Sequence, residues 1–383
     1  MTAEKTQTAR PRLLFLIAED WFFCSHYIER AAAARTAGYD VVVMTHVTSH
    51  ADAIRARGLR VRPWRLHRGS INPVREAWAL AEVWRAYRAE RPDIVHHVAL
   101  KPVLYGSLAA RLAGIGTIVN APVGMGYIFS SADRRARILR EPLRVALLWL
   151  LSTRQGKVIF QNRDDRQEML TCGFVHPGNV VLIRGSGVDV TRFQPTPEPE
   201  GTPVVLLAAR MLWDKGVGEF VAAARALKRE GVAARFCLAG DPDPLNHGSV
   251  PEATLRAWQA EGIIEWLGFR ADMAELLRMS HLACLPSYRE GLPKSLLEAA
   301  AAGRAIVTTD VPGCREAVTH GRNGLLVPVR DPVALAEALK HLLLHPSLRV
   351  ALGREGRKRA IDEFSQEIIV RETLQLYHSL LLP

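Results

Sequence analysis

Long apolar runs are missing from this chain: none approaches the ~18 residues that a membrane-spanning helix needs. The opening stretch MTAEKTQTAR also lacks the apolar core of a secretory leader, so the expected location is cytoplasmic. Cysteine is sparse. Its five occurrences (Cys24, Cys172, Cys237, Cys284, Cys314) are dispersed, with no Cys-x-x-Cys and no neighbouring His cluster. That spacing excludes a disulfide framework and a structural zinc site and suits a reducing compartment. No low-complexity tract and no repeat linking the halves is present. No Gly-x-Gly-x-x-Gly follows the first apolar segment, and Gly185-Ser-Gly-Val-Asp189 starts that pattern without the third, helix-opening glycine. A dinucleotide oxidoreductase is therefore disfavoured.

Acidic residues are scarce in one half only. Residues 1–190 hold 27 Lys+Arg against 16 Asp+Glu, whereas residues 191–383 hold 23 of each. The whole net charge of +11 thus lies in the first half, a field that favours an anionic partner such as a phosphorylated substrate or a phospholipid surface. A nucleic-acid binder would also use it, but no aromatic–basic RNA motif accompanies it.

What is present is an alternation of short apolar runs and amphipathic stretches from end to end, the pattern of α/β layers on parallel sheets. At 383 residues, two domains are expected. The first half predicts strands at Leu13–Ala18, Val41–Met44, Ile94–His97, Thr117–Asn120, Lys157–Phe160 and Val180–Ile183. A helix from about Tyr27 should close at Gly38, and another over Pro73–Ala89 should turn Val74, Trp78, Ala81 and Val83 inward. Around residues 188–203 the pattern breaks, and the Pro-rich segment 196–203 is expected to be an exposed linker. A second alternation then predicts strands Val204–Ala208, Ala234–Ala239, Ile264–Leu267, Leu282–Leu285 and Ala305–Thr308. The expected division is 1–190 for a first α/β domain, 191–365 for a second, and 366–383 for a final helix packing back toward the first.

The most specific signal is Ser287-Tyr-Arg-Glu290-Gly-Leu-Pro-Lys-Ser-Leu-Leu-Glu298, which follows a predicted strand and so lies where open α/β sheets bind ligands. Pro293 suits the first helical position. Gly291, Leu292, Pro293 and Lys294 then lead into a positive helix end with free N–H groups, fit for a diphosphate. Glu290 before the helix and Glu298 inside it can bracket a ligand bearing vicinal hydroxyls. An acidic pair at a helix start can equally serve the helix dipole alone. Against that simpler role stands Ala209-Arg210-Met-Leu-Trp-Asp-Lys215-Gly216, which follows strand Val204–Ala208. Arg210 and Lys215 can neutralise one diphosphate as a leaving group.

With these residues in place, the second half resembles glycosyltransferase family 4, the retaining transferases of GT-B architecture. The resemblance runs over 203–365 through Ala209-Arg210 and Lys215-Gly216, Leu238-Ala-Gly240, Leu267-Gly-Phe269 and the Glu290/Glu298 spacing. Gly313 with Glu316, and Gly321-Arg-Asn-Gly324, agree as well. It implies two Rossmann-like α/β/α domains facing across a cleft. Glu290 would then touch the transferred sugar and Glu298 the ribose. Arg210 and Lys215 would hold the diphosphate, Gly268 and Phe269 would border the base, and Ser287 would line the donor site. No metal or other cofactor is implied. The first half is similar to a narrower group, the transferases of bacterial capsule, O-antigen and lipid-linked oligosaccharide synthesis, which extend a polyprenyl-diphosphate-linked saccharide. The stretches that carry this are Asp20–His26, His97–Gly106, Val119–Phe129, Phe160–Asp165 and Gly185–Asp189. They nominate Trp21, His97, Lys101, Gly124 and Gly126 for acceptor binding.

That resemblance also implies retention of anomeric configuration. No carboxylate pair in the first half suggests itself for a double displacement. A front-face route, in which the leaving phosphate takes the acceptor proton while Arg210 and Lys215 stabilise it, is the alternative. A histidine near the reacting carbon is absent from the Gly124-Met125-Gly126 loop. His26, at the first strand–helix turn, is the candidate, with His96 and His97 equally readable as core residues. Residues 130–151 place five arginines beside an apolar run (Val145–Leu151) and read either as a membrane-interface segment or as a helix with a core end. The expected enzyme moves a hexosyl or N-acetylhexosaminyl group from a nucleotide diphosphate sugar, UDP-linked, to a lipid-linked glycan at the inner face of the plasma membrane. A nucleotide-sugar 2-epimerase of the same architecture and a transferase with a soluble acceptor are the alternatives.

Overall fold

A computed structural model describes residues 10–66, 69–70, 72–123, 145–151 and 155–382. The chain divides into two compact units. The first comprises Met1–Phe160, Asp165–Ile183 and Val370–Pro383; the second comprises Gln161–Asp164 and Arg184–Ile369. The chain passes between units at 183/184, where composition had placed the boundary at 190/191.

Unit 1 is built on β1 (Arg12–Glu19), β2 (Asp40–His46), β3 (Arg60–Pro63), β4 (Ile94–Val98), β5 (Ile118–Ala121), β6 (Lys157–Phe160) and β7 (Val180–Leu182). These form one parallel sheet in the order β3-β2-β1-β4-β5-β6-β7. Central strands of such a sheet are covered on both faces, which is why β1 reads as an unbroken apolar run. Leu13 to Ile17 are all buried. Strand β3 was not legible in the sequence. Its Arg-Val-Arg-Pro composition is that of an edge strand, where charge and proline are tolerated.

The helix Pro73–Glu90 forms as expected, with Asn72 capping the N–H groups of Val74 and Arg75. Its inward face is another matter. Ala79, Val83, Ala86 and Tyr87 are buried, while Val74 and Trp78 are exposed. At ~100° per residue Val83 lies opposite Val74 and Trp78, so the expected inward set combined two faces. The helix Gln366–Leu381 ends in unit 1. There Tyr377 is fully buried, its hydroxyl 2.6 Å from His96 Nδ1, with the His96 ring stacked on Phe15.

Unit 2 contains β8 (Val204–Ala208), β9 (Arg235–Ala239), β10 (Glu265–Trp266), β11 (Leu282–Leu285), β12 (Ala305–Thr309) and β13 (Gly324–Val327). All are parallel, ordered β10-β9-β8-β11-β12-β13. Counted within the unit this is the doubly wound 3-2-1-4-5-6 order, and the strand direction of travel reverses between β8 and β11. The Pro-rich segment 196–203 is not a free linker but part of unit 2. Glu198 accepts two hydrogen bonds from the buried Arg349 guanidinium (2.5 and 2.7 Å), and Thr196 accepts one from Arg304. Proline keeps the segment out of helix and sheet, and these side-chain anchors hold it against the domain.

Candidate functional site

In an open doubly wound sheet the ligand crevice lies outside the carboxyl ends of the two strands where the order reverses. In unit 2 these are β8 and β11, and the two most conspicuous motifs of the sequence follow them directly. After β8 the chain turns through Arg210–Leu212 and a 3₁₀ turn, Trp213–Lys215, into helix Val217–Arg229. After β11 it runs through Pro286–Pro293 into helix Lys294–Ala301.

Backbone contacts lock the two loops together. Tyr288 N donates to Asp214 O (2.8 Å), and the buried Ser287 hydroxyl donates to the same carbonyl (3.1 Å). Gly216, at φ +72°, lies so close to β11 that a Cβ there would sit 2.0 Å from the Pro286 carbonyl oxygen. Gly313 similarly lets the chain after β12 pass beneath Glu290 and Gly291, whose carbonyl oxygens would lie 2.5 and 2.6 Å from a Cβ. Asn162 Nδ2 donates to Gly291 O at 2.6 Å.

This packing brings Lys215 Nζ to 2.6 Å from Glu290 Oε1, both side chains being largely covered. A charge-assisted bond at this distance in a partly dry site is strong and directional. Glu298 lies inside the next helix and is buried, with Lys294 Nζ 3.6 Å away. Burial pushes its carboxyl above the ordinary glutamate range, and the charges of Lys294 and Arg192 only partly oppose this. Helix Lys294–Ala301 has Pro293 as its N-cap and no side-chain cap, and its N-terminal dipole favours an anion beside Lys294.

Arg210 points to a neighbouring loop. Its Nη1 lies 2.6 Å from Asp243 Oδ2. The loop after β9 is pinned to Arg210–Trp213 by Met211 N→Asp241 O, Trp213 N→Gly248 O and Val250 N→Met211 O, at 3.0, 2.8 and 2.8 Å. Gly240 N donates to Gly268 O (2.7 Å), which fixes the turn bearing Phe269, itself 73% exposed. An aromatic held open at the crevice rim can stack on a flat ligand.

The structure therefore joins Lys215 to Glu290 and Lys294 to Glu298 on one edge of unit 2, and it sets Arg210 against Asp243. Two expected donor contacts have other duties. Ser287 ties the loops together through its hydroxyl, and Leu292 packs into the core beside Leu296 and Leu297. Asp243 and Arg192 escaped notice in the sequence because nothing near them is motif-like; only the β9 loop's return onto Arg210 makes Asp243 relevant.

The candidates in unit 1 fare unevenly. His26 ends helix Asp20–His26, half-buried, with its ring stacked 4.2 Å from Phe22; Trp21 is half-buried beside the same ring. His97 is corrected as an acceptor contact: it is fully buried, Nδ1 2.7 Å from Asn120 Oδ1 and Nε2 2.9 Å from Tyr87 OH. Burial pulls its pKa down to about 4, with the Asn120 hydrogen bond opposing, so it is a neutral core residue at physiological pH. Lys101 opens helix Leu100–Ala113 and donates to Ser70 O (2.6 Å) and Glu76 (3.1 Å). Ala99 before it holds a left-handed φ of +74°, a strained conformation for a non-glycine residue. Asp20, not singled out in the sequence, is fully buried and accepts from Thr48 N, Thr48 Oγ1 and His50 N at 2.7, 2.6 and 2.9 Å. Gly124 and Gly126 lie outside the described residues. Among the described residues no group of three or more His, Cys, Asp or Glu is placed to hold a metal ion.

The raised carboxyl of Glu298 has a measurable consequence. An acid that binds its proton more tightly folded than unfolded lends stability at low pH and loses it as pH rises through the folded value. At neutral pH the ionised Glu298 thus costs stability. Glu298→Gln is expected to raise the melting temperature by about 1–3 °C at pH 7. The gain should shrink toward pH 4, and nucleotide-sugar affinity should fall by roughly tenfold. A melting series across pH with a donor titration checks both; a mutant that melts lower at pH 7 would refute the burial argument.

Comparison with known proteins agrees with this geometry. Residues 202–345 match the family model "Glycosyl transferases group 1", and residues 12–162 match "Glycosyl transferase 4-like". The N,N'-diacetylbacillosaminyl-diphospho-undecaprenol alpha-1,3-N-acetylgalactosaminyltransferase of Campylobacter jejuni is 29% identical over 355 residues, 88% of this chain and 90% of that protein. The alpha-maltose-1-phosphate synthase of Mycolicibacterium smegmatis is 30% identical over 76% of this chain and 79% of its own length. The crystal structure of Anabaena HepE with UDP and glucose superposes with a TM-score of 0.77 at 18% identity, covering 96% of this chain and 99% of that one. With matches to both halves and full-length relatives, the chain belongs to the group 1, family 4-like glycosyltransferases and has their GT-B fold of two parallel-sheet α/β domains.

Proposed function

We propose that this glycosyltransferase moves a hexosyl or N-acetylhexosaminyl group from a UDP-linked donor to a polyprenyl-diphosphate-linked saccharide, with retention of configuration. The observation that carries the donor half is the Lys215–Glu290 pair at 2.6 Å, set where β8 and β11 reverse the strand order. In this reading Glu290 accepts hydrogen bonds from sugar hydroxyls, Glu298 from the ribose, and Phe269 stacks on the base. Lys215, Lys294 and Arg210 meet the diphosphate charge, so no metal is required. Transfer breaks the bond from the anomeric carbon to the phosphate oxygen and forms one to the acceptor hydroxyl oxygen on the same face. The acceptor proton passes to the departing phosphate, which leaves as the nucleoside diphosphate.

The relative from Campylobacter acts, by its name, on an undecaprenol-linked diphosphate, and it aligns along nearly the whole chain. Together with the basic first half, that supports a lipid-linked acceptor and work at the inner face of the plasma membrane as a peripheral protein. Among the described residues no helix is long and apolar enough to cross a membrane.

The test is a nucleotide-sugar panel read by thermal shift, followed by transfer to a fluorescent polyprenyl-diphosphate sugar. A UDP-sugar that both stabilises the protein and extends the lipid is the expected result. Stabilisation by a donor with extension only of a soluble sugar would overturn the lipid acceptor. C2 epimerisation of the donor without transfer would overturn the reaction itself.

A further inference from the structure

The helix Pro73–Glu90 carries the exposed side chains that best suit a lipid surface. Val74 and Trp78 are 63% and 64% exposed. They continue into Ala81, Arg85 and Arg88 at the three-and-four spacing of a single helix face. The Arg85 guanidinium lies 5.8 Å over the Trp78 ring, and Arg75 and Arg88 are exposed on the same helix. Large aromatics held in water beside cations are the composition of an interfacial helix: indole and aliphatic groups enter the headgroup boundary while guanidinium groups meet phosphates.

The distribution of the acids sharpens this. The helix has three, and all are engaged within unit 1. Glu76 binds Lys101 (3.1 Å), Glu82 accepts from Arg65 N (3.0 Å), and Glu90 pairs with Arg60 (2.9 Å) and Arg62 (3.2 Å). Arg75, Arg85 and Arg88 form no ion pair among the described residues. Among the described residues the helix therefore presents a cationic and aromatic stripe with no acidic partner, complementary to an anionic headgroup layer. A protein partner fits less well, because a stable protein interface needs about 1,000 Å² and a core depleted in charge, whereas this stripe is narrow and flanked by arginines.

We propose that the Val74/Trp78/Arg85 face of helix Pro73–Glu90 is the surface that seats the enzyme on an anionic lipid bilayer. This rests on the membrane-borne acceptor proposed above and names the surface that meets the bilayer. The segment 130–151, the sequence's own candidate, lies largely outside the described residues. In its described part Val145 and Trp149 are exposed, with Arg111 stacked 4.4 Å from the Trp149 ring, so it serves as the internal comparison.

The experiment is co-sedimentation of the full chain with vesicles of phosphatidylglycerol and phosphatidylcholine, and with phosphatidylcholine alone. Wild type should bind the anionic vesicles preferentially. V74S/W78S should weaken that binding by about tenfold, and R75Q/R85Q/R88Q by at least about as much. All of these side chains are exposed, so melting temperatures should stay at the wild-type value, and W149S should bind as wild type. Wild type remaining in the supernatant, V74S/W78S binding undiminished, or W149S alone abolishing binding would each overturn the proposal. Trp78-dependent self-association without lipid, seen by sedimentation equilibrium, would overturn it in favour of a second copy. Thermal stabilisation by a UDP-sugar without lipid, measured on the same preparations, separates the two ideas: its absence in wild type counts against the transferase reading, and vesicle binding counts only for or against this surface.

Discussion

Glu290→Gln is expected to lower sugar transfer by about 10²–10³-fold while the protein still folds. The substitution keeps the shape of the side chain but removes the charge that Lys215 Nζ faces at 2.6 Å. In the proposed site the carboxylate orders both the ammonium and the sugar hydroxyls. An amide leaves the lysine without its counter-charge and offers one acceptor atom where there were two. Because the site is partly covered, water replaces that interaction poorly. Arg210→Ala should cause a loss of similar size through the diphosphate, with Asp243 then lacking its cation. Single-turnover transfer measures the effect, and a melting curve within about 2 °C of wild type guards against misfolding. Wild-type turnover in Glu290→Gln would remove Glu290 from the mechanism.

The second large effect is expected from a residue with no chemistry. Gly216→Ala places a methyl group 2.0 Å from the Pro286 carbonyl oxygen, at a φ of +72°. Neither neighbour can yield, since one is backbone at the end of a central strand and the other is the N-cap of helix Val217–Arg229. The loops after β8 and β11 must separate, which breaks both hydrogen bonds to Asp214 O and draws Lys215 away from Glu290. A cost of about 3 kcal/mol or more follows, seen as a fall in melting temperature of roughly 6 °C or more, with activity lost. Gly201→Ala is the matched control. That glycine also has a positive φ (+99°) but faces open space, so only the backbone strain of about 1 kcal/mol should appear. Equal melting of the two variants would show that φ, not the close approach to Pro286, governs the site.

Both predictions concern residues whose importance the sequence signals unequally. Glu290, Glu298, Arg210 and Lys215 stand out because charged side chains recur after apolar strands at a spacing with a chemical use. Gly216 stands out only as a glycine after lysine; its reason is a carbonyl oxygen seventy residues further along the chain.

By itself the sequence determined the alternation of strand and helix, the existence of two α/β domains and the motifs at the ends of β8 and β11. These are local, written in runs of adjacent residues whose burial follows from parallel-sheet geometry. Only tertiary structure decided what depends on distant partners. It turned His97 from a ligand candidate into a core residue between Tyr87 and Asn120. It bound the Pro-rich segment to unit 2 through Arg349 and Arg304. It also rotated helix Pro73–Glu90 so that Trp78 faces water and Tyr87 the core. An amphipathic helix with alanines around much of its circumference has several nearly equivalent apolar faces, and the choice among them belongs to the surface it packs against.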